Sequence, residues 1–98
     1  MKLDEEQVAA RMQALPNWTR EEKTIVRRFK FQSFPDSMKF ANEVADIAEA
    51  RNHHPFISID YKVVTLRLTS WHAGGLTEDD FSEAAAVDAV YAKYEPAN

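Results

Sequence analysis

All three histidines of the chain, both of its glycines and a proline fall between Glu49 and Asp80. His53 and His54 are adjacent and stand just before Pro55, where a helical pattern has to end. Imidazole is the side chain whose ordinary pKa lies nearest neutrality, so a pair at a helix end is suited to moving protons. Glu49, four residues before His53, can hydrogen-bond that ring, and the negative end of the helix dipole acts in the same sense; together they would poise one histidine as an acid. Two other chemistries fit the same residues. A histidine at a helix C-terminus with a neighbouring glutamate is a common stabilising arrangement. Glu49, His53, His54 and His72 could also supply metal ligands, although no HExxH or related spacing supports that. Asp80 reads equally as the acidic member of a capping box opened by Thr77, and Trp71 as a half-buried aromatic at a strand end.

Composition narrows these choices. The chain has 98 residues, 45% hydrophobic and 29% charged, enough for one domain with one modest core, residues 1–98. No apolar run reaches the roughly 18 residues of a membrane span, and the acid-bearing N-terminus MKLDEEQVAARMQAL lacks the apolar core of a secretory signal; the expected location is the cytoplasm, with no membrane partner. There is no cysteine, so thiolate catalysis and cysteine-ligated metals drop out. A net charge of −4 argues against a nucleic-acid partner, since such binding rests on a basic face. The one basic cluster, Arg27, Arg28 and Lys30, reads as solvated strand positions.

The elements that must hold the site follow from periodicity. Residues 4–15 predict a helix with Val8, Met12 and Leu15 on one face, stopped by Pro16. Residues 18–22 and 24–31 predict two strands, the second with Ile25, Phe29 and Phe31 on one face and Val26, Arg28 and Lys30 on the other. Phe34, Pro35 and Asp36 read as a break, with Asp36 or Ser37 capping a helix to about Asn52. At about 100° per residue, Phe40, Val44, Ile47 and Ala48 form its apolar stripe, and Glu49 and His53 point away from it. Two alternating runs, 56–61 and 63–70, predict a hairpin around Tyr61 and Lys62. Gly74 and Gly75 read as a flexible loop. Thr77 and Asp80 then open a last helix to about Tyr94, with Phe81, Ala84, Ala85, Asp88 and Ala92 along one side. The expected fold is a single α+β domain in the order α-β-β-α-β-β-α, a mainly antiparallel four-stranded sheet with helices on one face.

Glu49-x3-His53-His54-Pro55, Tyr61 six residues after the proline, Trp71 ten after the tyrosine, the run Gly74 to Thr77 and Asp80 together resemble the signature of pterin-4a-carbinolamine dehydratases, and the element order is similar to that family's fold. The resemblance implies dehydration of a 4a-hydroxytetrahydropterin to the quinonoid dihydropterin, recycling the pterin cofactor of aromatic amino acid hydroxylases, without a metal and with the pterin as substrate rather than cofactor. It implies His53 and His54 as the binding and acid–base pair, Glu49 orienting His53, and Asp80 supporting them from the start of the last helix. Substrate contacts are implied for Pro55, Tyr61, Trp71 and His72, with the loop from Trp71 to Gly75 closing over the pterin, and a homodimer or homotetramer as the assembly. Many family members carry a third histidine where this chain has Trp71. His72 is one residue late and would point away on a regular strand unless the strand bulges or ends first. The alternative implied by the family is a non-catalytic relative acting as a dimerisation or assembly factor.

Overall fold

The computed structural model describes residues 1–96. Its elements are α1 (Glu5–Met12), β1 (Thr19–Glu21), β2 (Thr24–Lys30), α2 (Phe34–Arg51), β3 (Phe56–Asp60), β4 (Val63–Leu68), a 3-10 turn (Trp71–Ala73) and α3 (Glu78–Tyr91). The observed order is the expected one. The four strands form one sheet in the order β1-β2-β4-β3, every neighbour antiparallel.

Register explains the core. Ile25 and Phe29 of β2 lie opposite Leu68 and Val64 of β4, and the period of two sends all four side chains, with Leu66, to the same face. On that face they bury against Val8 of α1, Phe40 and Val44 of α2, and Phe81, Ala84 and Val87 of α3. Each large apolar side chain so removed from water contributes about 1.5–3 kcal/mol. Phe29, Phe31, Phe40, Tyr91 and Tyr94 form a connected aromatic cluster with centroids 4.9–5.8 Å apart.

Several boundaries differ from expectation, each for a local reason. α2 starts earlier than predicted: its N-cap is Ser33, whose hydroxyl accepts from Asp36 N–H, and Pro35 sits inside the first turn. Proline is tolerated there because its missing N–H is one that the helix leaves unpaired anyway. Arg27 is not a solvated cation. It bonds Asp88 at 2.7 Å and its guanidinium lies 4.5 Å from the centre of the Phe29 ring. The buried face of α3 is Asp80, Phe81, Glu83, Ala84 and Val87, while Ala85 and Ala92, expected on one side with Phe81 and Ala84, are exposed. β4 ends at Leu68, two residues before the expected end. The Gly74–Gly75 loop is tightly held, with the Ser70 carbonyl accepting from the N–H groups of Ala73, Gly74 and Gly75.

Candidate active site

The way α2 ends decides which way His53 points. Asn52 takes the left-handed conformation, φ 51 and ψ 44; its N–H bonds the Glu49 carbonyl, and the next N–H, from His53, bonds the Ala48 carbonyl at 3.0 Å. This is the Schellman closure, and asparagine is one of the few residues besides glycine that enters that conformation readily. The closure reverses the chain, so a 100° count carried through Asn52 places His53 wrongly. Rather than projecting from an exposed face beside Glu49, His53 turns inward and retains 9% exposure.

Inside, His53 meets the start of α3. Its Nε2 lies 3.1 Å from Ser70 Oγ and 3.1 Å from Asp80 Oδ1. Its Nδ1 faces Glu83 Oε1 at 3.3 Å, within ion-pair distance but not aligned for a hydrogen bond. Asp80 closes the capping box: its Oδ2 accepts from Thr77 N–H and from the Ser70 hydroxyl, each at 2.8 Å. Asp80 and Glu83 are both fully buried. Burial pushes the Asp80 carboxyl above its ordinary value, partly offset by the bonds from Thr77 and Ser70 and by the nearby His53. The same cause raises Glu83, with His53 and Arg51 pulling the other way.

Outside stands a second pair. His54, with 56% of its side chain exposed, places Nε2 2.5 Å from Glu49 Oε2. Glu49 therefore partners His54, not His53, because the left-handed Asn52 carries His53 beneath the helix end and leaves its neighbour outside. Two residues on, Phe56 packs edge-to-face against Trp71, centroids 5.9 Å apart at 88°. Trp71 is 72% exposed, more open than the half-buried position predicted, because it sits in the 3-10 turn beyond the end of β4. The strand's end also settles the geometry of His72: strand alternation does not reach it, and it is exposed in the same turn. Pro55, half-buried, links the histidine pair to β3. Tyr61 is not brought to this group. It occupies the β3–β4 turn with φ 53, beyond Asp60, at the end of β3 opposite Phe56. Among the described residues no three imidazole or carboxyl groups are arranged to hold a metal ion.

Glu83 and Ser70 escaped the sequence reading. Glu83 carried a signal, since it is one turn after Asp80 on the same helix face and so must share its surroundings; Ser70 carried none. The defined surface hollows, about 200, 280 and 260 Å³, are lined by Lys2, Arg20 and Lys23, by Met1, Gln7 and Glu78, and by Gln32, Lys39 and Tyr94. None is lined by His53, His54 or Trp71. The convergent titratable groups around His53 and His54 mark the candidate site instead.

Sequence and structure comparisons agree on a family. Residues 1–90 match the family described as pterin 4 alpha carbinolamine dehydratase, and the chain belongs to that family. A relative from Chloroflexus aurantiacus, provisionally named a pterin-4-alpha-carbinolamine dehydratase, is 45% identical, with 91% of this chain and 96% of the relative covered. One from Thermomicrobium roseum, with the same provisional name, is 42% identical over 85% of this chain and 89% of its own length. Among solved structures, a transcriptional coactivator/pterin dehydratase from Brucella melitensis superposes with a TM-score of 0.89 at 29% identity, covering 93% of this chain and 99% of that one. A pterin dehydratase-like protein described as a RuBisCO assembly factor in the alpha-carboxysome gives a TM-score of 0.63 at 25% identity, covering 80% and 89%.

Proposed function

We propose that this protein dehydrates a 4a-hydroxytetrahydropterin to the quinonoid dihydropterin and water. The observation that carries the reading is the His54–Glu49 pair, open to solvent beside the exposed Trp71 and Phe56 rings, in a chain of the dehydratase family. The reaction breaks the C–OH bond, adds one proton to the departing hydroxyl and removes one from the pterin ring system, so it is neutral in protons. One histidine can serve both steps by taking the ring proton and returning it to the hydroxyl. His54 has the access for this: Glu49 fixes its Nε2, leaving Nδ1 for the substrate. The flat Trp71 indole offers a stacking face and one N–H donor but cannot exchange protons near pH 7. His53, held by Asp80 and Ser70, serves as the buried support of the pair.

The test is the dehydration rate of enzymatically generated 4a-hydroxytetrahydropterin, with and without the protein. Wild type should accelerate it, His54→Ala should lose roughly 10²-fold or more of that acceleration, and Trp71→His should raise it by adding a proton carrier. No acceleration from folded wild type would sink the enzymatic reading. A second reading, a non-catalytic assembly role, is favoured by one observation: Phe56 and Trp71, 53% and 72% exposed, form an apolar patch beside the site, on a fold shared with the assembly-factor relative. Pterin binding seen as a Trp71 fluorescence change without turnover would support it.

A further inference from the structure

Glu83 is a fully buried carboxyl for which the dehydratase reading has no use. Neither of its oxygens has an aligned hydrogen-bond partner, nor does the His53 Nδ1 that faces Oε1 at 3.3 Å. Leaving such groups unsatisfied costs about 1–3 kcal/mol each, so a proton count around the ring is informative. The Ser70 hydroxyl has one hydrogen, given to Asp80 Oδ2. Its oxygen must then accept from both Thr77 Oγ1, at 2.8 Å, and His53 Nε2, at 3.1 Å. Thr77 Oγ1 in turn accepts from Asp79 N–H at 3.2 Å. With Asp80 Oδ2 as the acceptor of the Ser70 hydrogen, this chain of hydroxyls calls for a hydrogen on Nε2, which Asp80 Oδ1, without another partner, also faces at 3.1 Å. At 3.3 Å, Nδ1 then faces Glu83 in one of two arrangements that keep a proton between them: a ring N–H against a carboxylate, or a bare ring nitrogen against a carboxylic acid. With no proton between them, two lone pairs would meet in a dry interior.

We propose that Glu83 and Nδ1 of His53 share one proton, and that Glu83 is thereby a positioning residue of the site, fixing the ring orientation of His53 next to His54. The second half rests on the dehydratase reading; the first does not. Asp80 is on α3 with Glu83, Asp79 adjoins it, and Arg51 reaches over from the end of α2, bonding Ser82 Oγ at 2.8 Å and drawing on the Glu83 charge. The opposed pulls on Glu83, burial favouring the acid and His53 with Arg51 favouring the carboxylate, are what a shared proton requires.

The test is histidine ring ¹⁵N NMR on the intact protein, comparing wild type with Glu83→Leu and Glu83→Gln. Wild type should show a protonated Nε2 and an Nδ1 signal between the protonated and bare limits. Glu83→Leu should move Nδ1 to the bare limit and leave Nε2 in place. Glu83→Gln, which keeps the shape should the leucine variant fail to fold, should place Nδ1 at one limit or the other. A bare Nε2 in wild type, or an Nδ1 signal unchanged in the variants, would overturn the shared proton. In the dehydration assay, Glu83→Gln should lower kcat about tenfold, less than the ~10²-fold or more of losing a proton-transfer group, with KM changed by less than about twofold; an unchanged kcat would overturn the positioning role. A wild type that does not dehydrate the pterin would overturn the dehydratase reading and the positioning role with it, the NMR comparison still deciding the shared proton.

Discussion

Replacing Asp80 by asparagine separates the two forces acting on the buried network. Burial raises the carboxyl above its ordinary 3.8, and the bonds from Thr77 and Ser70 with the His53 contact oppose that without reversing it. When the native value exceeds the unfolded one, the native state binds more protons between the two. Ionisation of this group therefore subtracts stability as pH rises from about 3.8 through the native value, and nothing is lost below that. Each unit of separation is worth about 1.4 kcal/mol. Asparagine keeps an oxygen for Thr77 and Ser70 and does not ionise, so against the neutral acid it adds only a pH-independent offset of up to about 1–3 kcal/mol. The stability difference in favour of wild type should thus be greatest near about pH 3.5 and shrink as pH rises to about 5.5, a range in which histidines of the unfolded chain stay charged. Glu83, raised for the same reason, is present in both proteins. Asp80 contributes to that rise, so its residual effect has the same sign. The assay is urea unfolding followed by circular dichroism at steps across that range. A difference that widens with rising pH would refute the reasoning, showing that attraction to His53 outweighs burial.

Two further outcomes follow from backbone geometry. Asn52→Ala should cost about 1–2 kcal/mol in urea unfolding, because alanine at φ 51 meets the left-handed penalty that asparagine largely escapes, while Asn52→Gly should stay close to wild type. Tyr61→Asn should raise the unfolding midpoint, by up to about 1 kcal/mol in stability, since Tyr61 takes φ 53 in a two-residue turn with a bulky side chain; dehydration by that variant should match wild type, its site being at the far end of β3.

The legible and illegible parts of this fold divide along a physical line. Alternation along β2 and β4 and the stripe of Phe40, Val44 and Ala48 are properties of regular elements, and period alone places them. The capping box of Thr77 and Asp80 is equally local. What failed was geometry at the ends of elements. One left-handed residue, Asn52, exchanges the fates of His53 and His54 and hands Glu49 to the other ring. The side chain at Ser33, three residues ahead of Asp36, moves the start of α2 to the far side of Pro35. Glu83 defeated the reading differently: a hydrophobic pattern assigns a charged residue to solvent, and only the carboxyl one turn before it on the same face indicated otherwise.

The two helix ends that meet here reduce the cost of such burial. His53 follows the C-terminus of α2, whose unpaired carbonyls carry partial negative charge, while Asp80 lies in the first turn of α3, where free N–H groups carry the opposite sign. A cation beside the one and an anion beside the other are each favoured by about 0.3–1 kcal/mol, and more where partly buried. That gain falls well below the several kcal/mol of taking an ion out of water, which agrees with carboxyls that remain raised rather than lowered. The network is thus balanced rather than deeply stabilised. The proton proposed to lie between Glu83 and His53 is compatible with such a network, while the exposed His54–Glu49 pair keeps its own access to solvent.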